Sequence, residues 1–199
     1  VIWPPGILCH SRVGGQGERR SRGPVRPRIG VYNSGVPETY RVAVIGRTGR
    51  GNYGHNIDVA FATHSRCRVI AVADDNPEGL KKAGDRLKTT ALYADYRQML
   101  EREKPQIVAV CPRWLDGHLE LVKAAAAAHA HVFMEKPMGP TLAECDQMID
   151  ACDRVHSRIA IAHNMRVCPI LDHVERQVKD GIIGDLQEMR GRGKGRPSS

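Results

Sequence analysis

The sequence predicts a doubly wound α/β fold, a parallel sheet with helices on both faces, and three observations lead to it. Apolar runs such as Val42-Ala43-Val44-Ile45, Val69-Ile70-Ala71-Val72-Ala73 and His131-Val132-Phe133-Met134 each end in a glycine or a charged residue. Strands buried on both faces of a parallel sheet read as such continuous runs. Segments with helical spacing of apolar residues lie between them, which is the alternation of βαβ units. The first run also passes straight into Gly46-Arg47-Thr48-Gly49-Arg50-Gly51-Asn52-Tyr53-Gly54. Open α/β sheets bind ligands at that edge, beyond the carboxyl ends of the strands.

Taken in order, the elements are a strand over 41–45, a helix over about 53–64, a strand over 68–73 and a helix over about 77–87. A short strand near 91–93, a helix over 96–103 and a strand over 107–111 follow. The second half reads as a helix over about 115–129, a strand over 131–135, a helix over 142–155 and a strand over 158–163. Asn76 can cap a helix that has Pro77 at its first position, and Asp95 can cap the next. Thr141-Leu142-Ala143-Glu144 is a capping box, and the alanines from Ala124 to Ala128 make a helix interior suited to close packing on the sheet. Six strands in two halves imply the order 3-2-1-4-5-6, right-handed crossovers, and a crevice between strands one and four.

After Pro169 a helix over about 170–180 should end at Gly181, and Leu186-Gln187-Glu188-Met189-Arg190 reads as the start of a further strand. A strand launched there with nothing to pair it points to a second α+β domain cut short. The expected organisation is a disordered or non-native extension over 1–40, a nucleotide-binding domain over 41–163, and the start of a truncated substrate domain over 164–199.

The net charge of +8 on 199 residues is confined to the ends. Residues 1–40 hold seven glycines, five prolines and a net +4, residues 189–199 carry another +4, and the stretch between is balanced. That is the composition of solvated tails, and it argues against a nucleic-acid partner. The six cysteines include no C-x-x-C pair and no Cys/His cluster with zinc spacing, so a reducing compartment and no metal are predicted. No apolar stretch is long enough to span a bilayer. The expectation is a cytoplasmic protein with no membrane partner.

The glycine turn is where chemistry should begin. A pyrophosphate needs backbone N–H groups without Cβ interference and then a helix N-terminus. Two registers fit: Gly49-x-Gly51-x-x-Gly54, and the tighter Gly46-x-Thr48-x-x-Gly51, which starts at the strand end and is taken for the turn itself. Gly46, Thr48, Gly49, Arg50 and Gly51 are the predicted cofactor contacts. Asp74, twenty residues beyond Gly54, ends the second strand. A carboxylate there accepts hydrogen bonds from ribose hydroxyls and repels a 2′-phosphate, which favours NAD over NADP. Cys111 and Pro112 follow the fourth strand and should face the nicotinamide half, with Trp114 either a lid or a packing residue. His118 reads as a surface or satisfied histidine.

Glu135-Lys136-Pro137 closes the fifth strand. A lysine at that edge can polarise a carbonyl or hydroxyl oxygen and transfer a proton beside a cationic nicotinamide, so Lys136 is the catalytic candidate. The alternative is a surface lysine paired with Glu135. Pro137 biases Lys136 toward an extended backbone.

With these residues in view, the chain resembles the Gfo/Idh/MocA family of NAD(P)-dependent sugar and polyol oxidoreductases over about 40–195. The likeness lies in the glycine turn, Ala71-Val72-Ala73-Asp74, His131 through Pro137, His163-Asn164-Met165-Arg166, and Asp180-Gly181-Ile182-Ile183-Gly184. It implies a Rossmann fold, Lys136 beside nicotinamide and substrate, Glu135 on the nicotinamide side, and Asn164 and Arg166 lining the substrate site. The implied reaction is hydride transfer between nicotinamide and a sugar or polyol hydroxyl, with an oligomer formed only through the missing domain. An NAD-dependent glycoside hydrolase of the same lineage and a non-catalytic dinucleotide sensor are the alternatives. Two local departures stand out: Thr48 replaces the usual middle glycine, and Asn52-Tyr53-Gly54 looks inserted.

Overall fold

The computed structural model describes residues 39–190, so the expectation for the N-terminal extension falls almost wholly outside the described residues, as does the end of the chain. Six parallel strands form one sheet in the order β3-β2-β1-β4-β5-β6: β1 (Tyr40–Ile45), β2 (Cys67–Ala73), β3 (Leu92–Tyr93), β4 (Ile107–Val110), β5 (His131–Met134) and β6 (Ile159–Ile161). This is the predicted doubly wound order, with the reversal between β1 and β4.

Side-chain alternation divides the core between the two faces. Val42 and Val44 of β1 point to the face packed by Ile57 and Phe61 of α1 (Ile57–Ala62) and by Ala83 and Leu87 of α2 (Pro77–Leu87). Ala43 and Ile45 point the other way, toward α3 (Tyr96–Glu103), α4 (His118–Ala127) and α5 (Leu142–Arg154), through Met99, Val122, Ala125 and Met148. Each fully buried valine or leucine contributes about 1.5–3 kcal/mol, so both faces stabilise the sheet. Small residues at Ala125 and Ala126, both buried, let α4 lie close to it. A register shift sits between Val42 and Ala43 where β1 meets β2, and Thr89 donates its hydroxyl to the Ile70 carbonyl there at 2.9 Å.

The caps form as predicted. Asn76 accepts from the Gly79 N–H at 2.8 Å, Asp95 from Arg97 N–H, and Thr141 Oγ1 from Glu144 N–H. Three boundaries differ from expectation. Helix α1 starts at Ile57 rather than near 53, because Gly54 (φ 65°) and Asn56 (φ 63°) take left-handed conformations that no helix continues through. The helix predicted over 115–129 opens as a 3₁₀ turn, Leu115–Gly117, and its end is set by His129 at φ 57°. The strand expected at 186–190 is absent: that segment has no regular structure.

The described chain falls into two compact units that divide between Ala162 and His163. The first holds the sheet; the second holds a 3₁₀ turn, Asn164–Val167, and the amphipathic α6 (Pro169–Lys179). Among the described residues no helix is long and apolar enough to cross a membrane.

Candidate functional site

Four segments follow the carboxyl ends of the strands: the turn after β1, Asp74-Asp75-Asn76 after β2, Cys111 through Trp114 after β4, and Glu135-Lys136-Pro137 after β5. A cleft of about 350 Å³ opens over the first three, lined by Gly46 and Arg47, Asp74 and Asp75, Tyr96 and Arg97, Pro112, Gly117 and Glu120 among others; of the predicted site residues it takes in Gly46, Asp74 and Pro112, while Thr48, Gly49, Arg50, Gly51, Cys111, Glu135 and Lys136 do not line it. That volume lies within the range of small-molecule clefts, about 300–1,000 Å³.

The glycine turn closes on itself. Arg47 and Asn52 exchange backbone hydrogen bonds at 3.1 and 2.9 Å, Arg50 N–H donates to Arg47 O, and Gly49 N–H donates to the Asn52 side chain. Gly49 (φ 84°) and Gly51 (φ 92°) occupy left-handed conformations. A Cβ on Gly51 would collide with the Arg113 backbone nitrogen, so this glycine lets the turn lie directly on the loop after β4. Both sequence registers therefore have a share in the loop: Gly46 starts it under the Tyr53 ring, and Gly54 packs against Cys111 O and the Glu135 side chain. Most turn N–H groups already have acceptors. Among the described residues those of Gly51 and Tyr53 have none, and both residues are buried.

Asp74 is buried, 2% exposed, and its carboxylate is densely bonded. It accepts from Thr48 N–H (3.1 Å), Thr48 Oγ1 (2.7 Å), Tyr53 OH (2.8 Å) and Asn76 N–H (3.0 Å). Burial first, and then the neighbouring Asp74 charge, push the Tyr53 phenol well above its ordinary pKa, so it stays a donor. Asp75 behaves oppositely. Its side chain is 61% exposed and faces Arg47 Nε at 3.5 Å. Arg50 reaches Asp116 at 2.6 Å and covers the exposed Trp114 ring at 5.2 Å, which makes Trp114 part of a polar rim.

Across the reversal point, Glu135 is 1% exposed. Its Oε1 accepts from His55 N–H at 2.8 Å and also contacts His55 Nδ1, while Oε2 accepts from Lys136 N–H at 2.8 Å. The Lys136 side chain is exposed, and among the described residues its ammonium has no partner. The alternative of a surface pair with Glu135 is thus not what forms. Cys111 is fully buried, backbone included: its N–H donates to Ile45 O at 3.0 Å and its carbonyl packs against Gly54, so the predicted cofactor contact from Cys111 is not exposed, and burial raises its thiol pKa well above the usual range. His118 is a buried histidine whose ring nitrogens lie 2.8 Å from Pro112 O and 3.0 Å from Met138 O, so that a ring N–H has a carbonyl acceptor on either side, between the loop after β4 and the loop after β5. Asn164 and Arg166 lie on the 3₁₀ turn of the second unit, both exposed.

Sequence reasoning missed His55. The signal available was a carboxylate at the end of a buried strand, which demands donors; which residue supplies them is a tertiary fact.

The model of the GFO_IDH_MocA oxidoreductase family, NAD-binding Rossmann fold, matches residues 40–163. D-apiose dehydrogenase of Paraburkholderia graminis is 30% identical over 136 residues, covering 68% of this chain and 36% of that protein. A glycosyl hydrolase family 109 protein of Streptomyces coelicolor is 29% identical over 185 residues, 88% of this chain and 38% of its own. The crystal structure of a probable dehydrogenase from Thermotoga maritima superposes with a TM-score of 0.62 at 28% identity, over 72% of this chain and 42% of that one. The chain spans well under half the length of the relatives it matches.

Proposed function

Because the chain belongs to the Gfo/Idh/MocA oxidoreductase family, whose matched segment is an NAD-binding Rossmann fold, we propose that residues 41–163 hold NAD for oxidation or reduction of a sugar or polyol hydroxyl. The observation that carries this reading is the exposed, unpartnered Lys136 ammonium at the carboxyl end of β5, on a segment joined to the glycine turn through Glu135, which packs against Gly54 and accepts from His55 N–H; the cleft at the ends of β1, β2 and β4 supports it. NAD, when bound, supplies the hydride acceptor or donor.

The protein's own groups have separable tasks. Gly46, Thr48, Gly49, Arg50 and Gly51 form the turn that would carry the pyrophosphate, with Asp74 behind it. Pro112, which lines the cleft, would face the nicotinamide half, with buried Cys111 supporting it from below. Glu135, fixed by His55, aims the segment that carries Lys136, and Lys136 gives or takes the hydroxyl proton. The family resemblance assigns a substrate role to Asn164 and Arg166, which lie in the second unit. The partner is a small sugar or polyol, and the compartment is cytoplasmic.

Calorimetric titration with NAD tests the reading. Saturable binding by the full chain is expected, and Lys136→Met should leave affinity within about threefold, since a group that serves the reacting centre adds little to ground-state binding. A chain that binds no NAD overturns the proposal. The match to a glycosyl hydrolase family 109 protein over 88% of this chain supports a second reading, transient oxidation during glycoside cleavage. Net NADH accumulation from a free polyol separates the two.

A further inference from the structure

Thr48 and Tyr53, both in the turn after β1, are the two residues whose side-chain hydroxyls donate to Asp74. A carboxylate reads a ribose diol by accepting two hydrogen bonds, and it has about four lone-pair sites in all. Asp74 already receives Thr48 N–H, Thr48 Oγ1, Tyr53 OH and Asn76 N–H at 2.7–3.1 Å, and it is 2% exposed. Three of these donors sit on Oδ2, and Oδ1 takes Asn76 N–H with a longer 3.2 Å share of Thr48 N–H, so a ribose hydroxyl would have to enter at Oδ1 of a carboxylate that is almost fully covered. Thr48 is itself wedged against α2, where a Cβ on Gly79 would collide with its hydroxyl, and the Tyr53 ring lies on Gly46. These donors are therefore held in place by packing.

Asp75, the next residue, lines the same cleft with a mostly exposed side chain, and its partner is Arg47 Nε at 3.5 Å. Arg47 also lies 3.9 Å from Asp116, whose closer partner is Arg50 at 2.6 Å. At the lip, then, a carboxylate free to meet a ribose stands beside an arginine whose charge it offsets. With Asp75 present, a 2′-phosphate meets a negative charge; without it, the Arg47 guanidinium is released as a planar phosphate-binding fork.

We propose that Asp74 is a buried latch holding the glycine turn closed, and that the exposed Arg47–Asp75 pair, rather than Asp74, discriminates NAD from NADP. This rests on the dinucleotide reading above. It moves the specificity residue one position along the chain from where the sequence pattern put it.

Separate titrations of the full chain with NAD and with NADP provide the test. Asp75→Ala should tighten NADP at least about tenfold while NAD changes less, and adding Arg47→Ala should cancel that gain, as expected for a charge-assisted phosphate contact. Asp74→Asn and Tyr53→Phe should weaken both nucleotides by a similar factor, leaving their ratio within about threefold, because a loosened turn serves neither. A ratio that moves with Asp74→Asn and ignores Asp75→Ala overturns the inference while the dinucleotide reading survives. A wild-type chain that binds neither nucleotide overturns both. Asp75 is exposed and its replacement should fold, so the decision does not hang on how well the Asp74 variant folds.

Discussion

Removing one hydroxyl, with Tyr53→Phe, isolates the latch. The ring keeps its place on Gly46, and only the 2.8 Å bond to Asp74 Oδ2 is lost. A hydrogen bond to a charged group contributes about 1.5–3 kcal/mol, and the acceptor here is buried and cannot recruit water easily. Thr48 and Asn76 still serve the carboxylate, which holds the loss to about 2 kcal/mol. With a urea m-value of about 1.5 kcal/mol/M, the unfolding midpoint should fall by about 1.3 M. Circular dichroism during urea titration measures it. Because burial and the Asp74 charge raise the Tyr53 pKa, the phenol remains protonated and the loss should be the same at pH 7 and pH 9. A double-mutant cycle with Asp74→Asn should return a coupling of about 1 kcal/mol or more, as contacting groups do. A midpoint within about 0.3 M of wild type, or strict additivity with Asp74→Asn, would refute the latch.

Three other outcomes follow from the geometry. Buried Asp58 takes both Nε and Nη2 of Arg86 on one oxygen, at 3.0 and 2.6 Å, while the Arg86 side chain is 41% exposed. Arg86→Ala strands a buried charge and should cost about 3–5 kcal/mol, whereas Asp58→Ala frees a guanidinium that water can reach and should cost about 1–2; urea melts showing the reverse order would reject this. His131 Nδ1 accepts from Arg158 N–H, and burial, then the Arg158 charge, lower its pKa below the ordinary value. The unfolded chain therefore binds this proton first, so stability should be full above about pH 6.5 and fall as pH drops through that value, and His131→Gln should flatten the slope between pH 7 and pH 5. Where turnover of a sugar or polyol is measurable, Lys136→Met should lower kcat at least about a hundredfold; a near-normal kcat excludes Lys136 from the chemistry.

The sheet order was readable because each strand carries its own signal, an apolar run with a breaker at its end, and because Asn76, Asp95 and Thr141 mark helix starts by local chemistry. What could not be read were features set by distant partners. Helix α1 begins late because Gly54 must fit between Cys111 O and Glu135, and nothing within residues 50–60 states that requirement. His55 is assigned to Glu135 across 80 residues of sequence. Asp74 is the instructive case. Its position, at the end of the second strand, is correctly read from the run before it, yet position alone does not say whether a carboxylate faces a ligand or the protein. That depends on the donors around it, and here they come from Thr48 and Tyr53. A glycine at position 48 would offer Asp74 an N–H but no hydroxyl, and a turn without Tyr53 would bring no phenol above Gly46. Thr48 and Tyr53 are thus a pair of donors for a single buried acceptor, and it is this pair, set by the fold of the turn rather than by the end of β2, that turns the Asp74 carboxylate toward the protein.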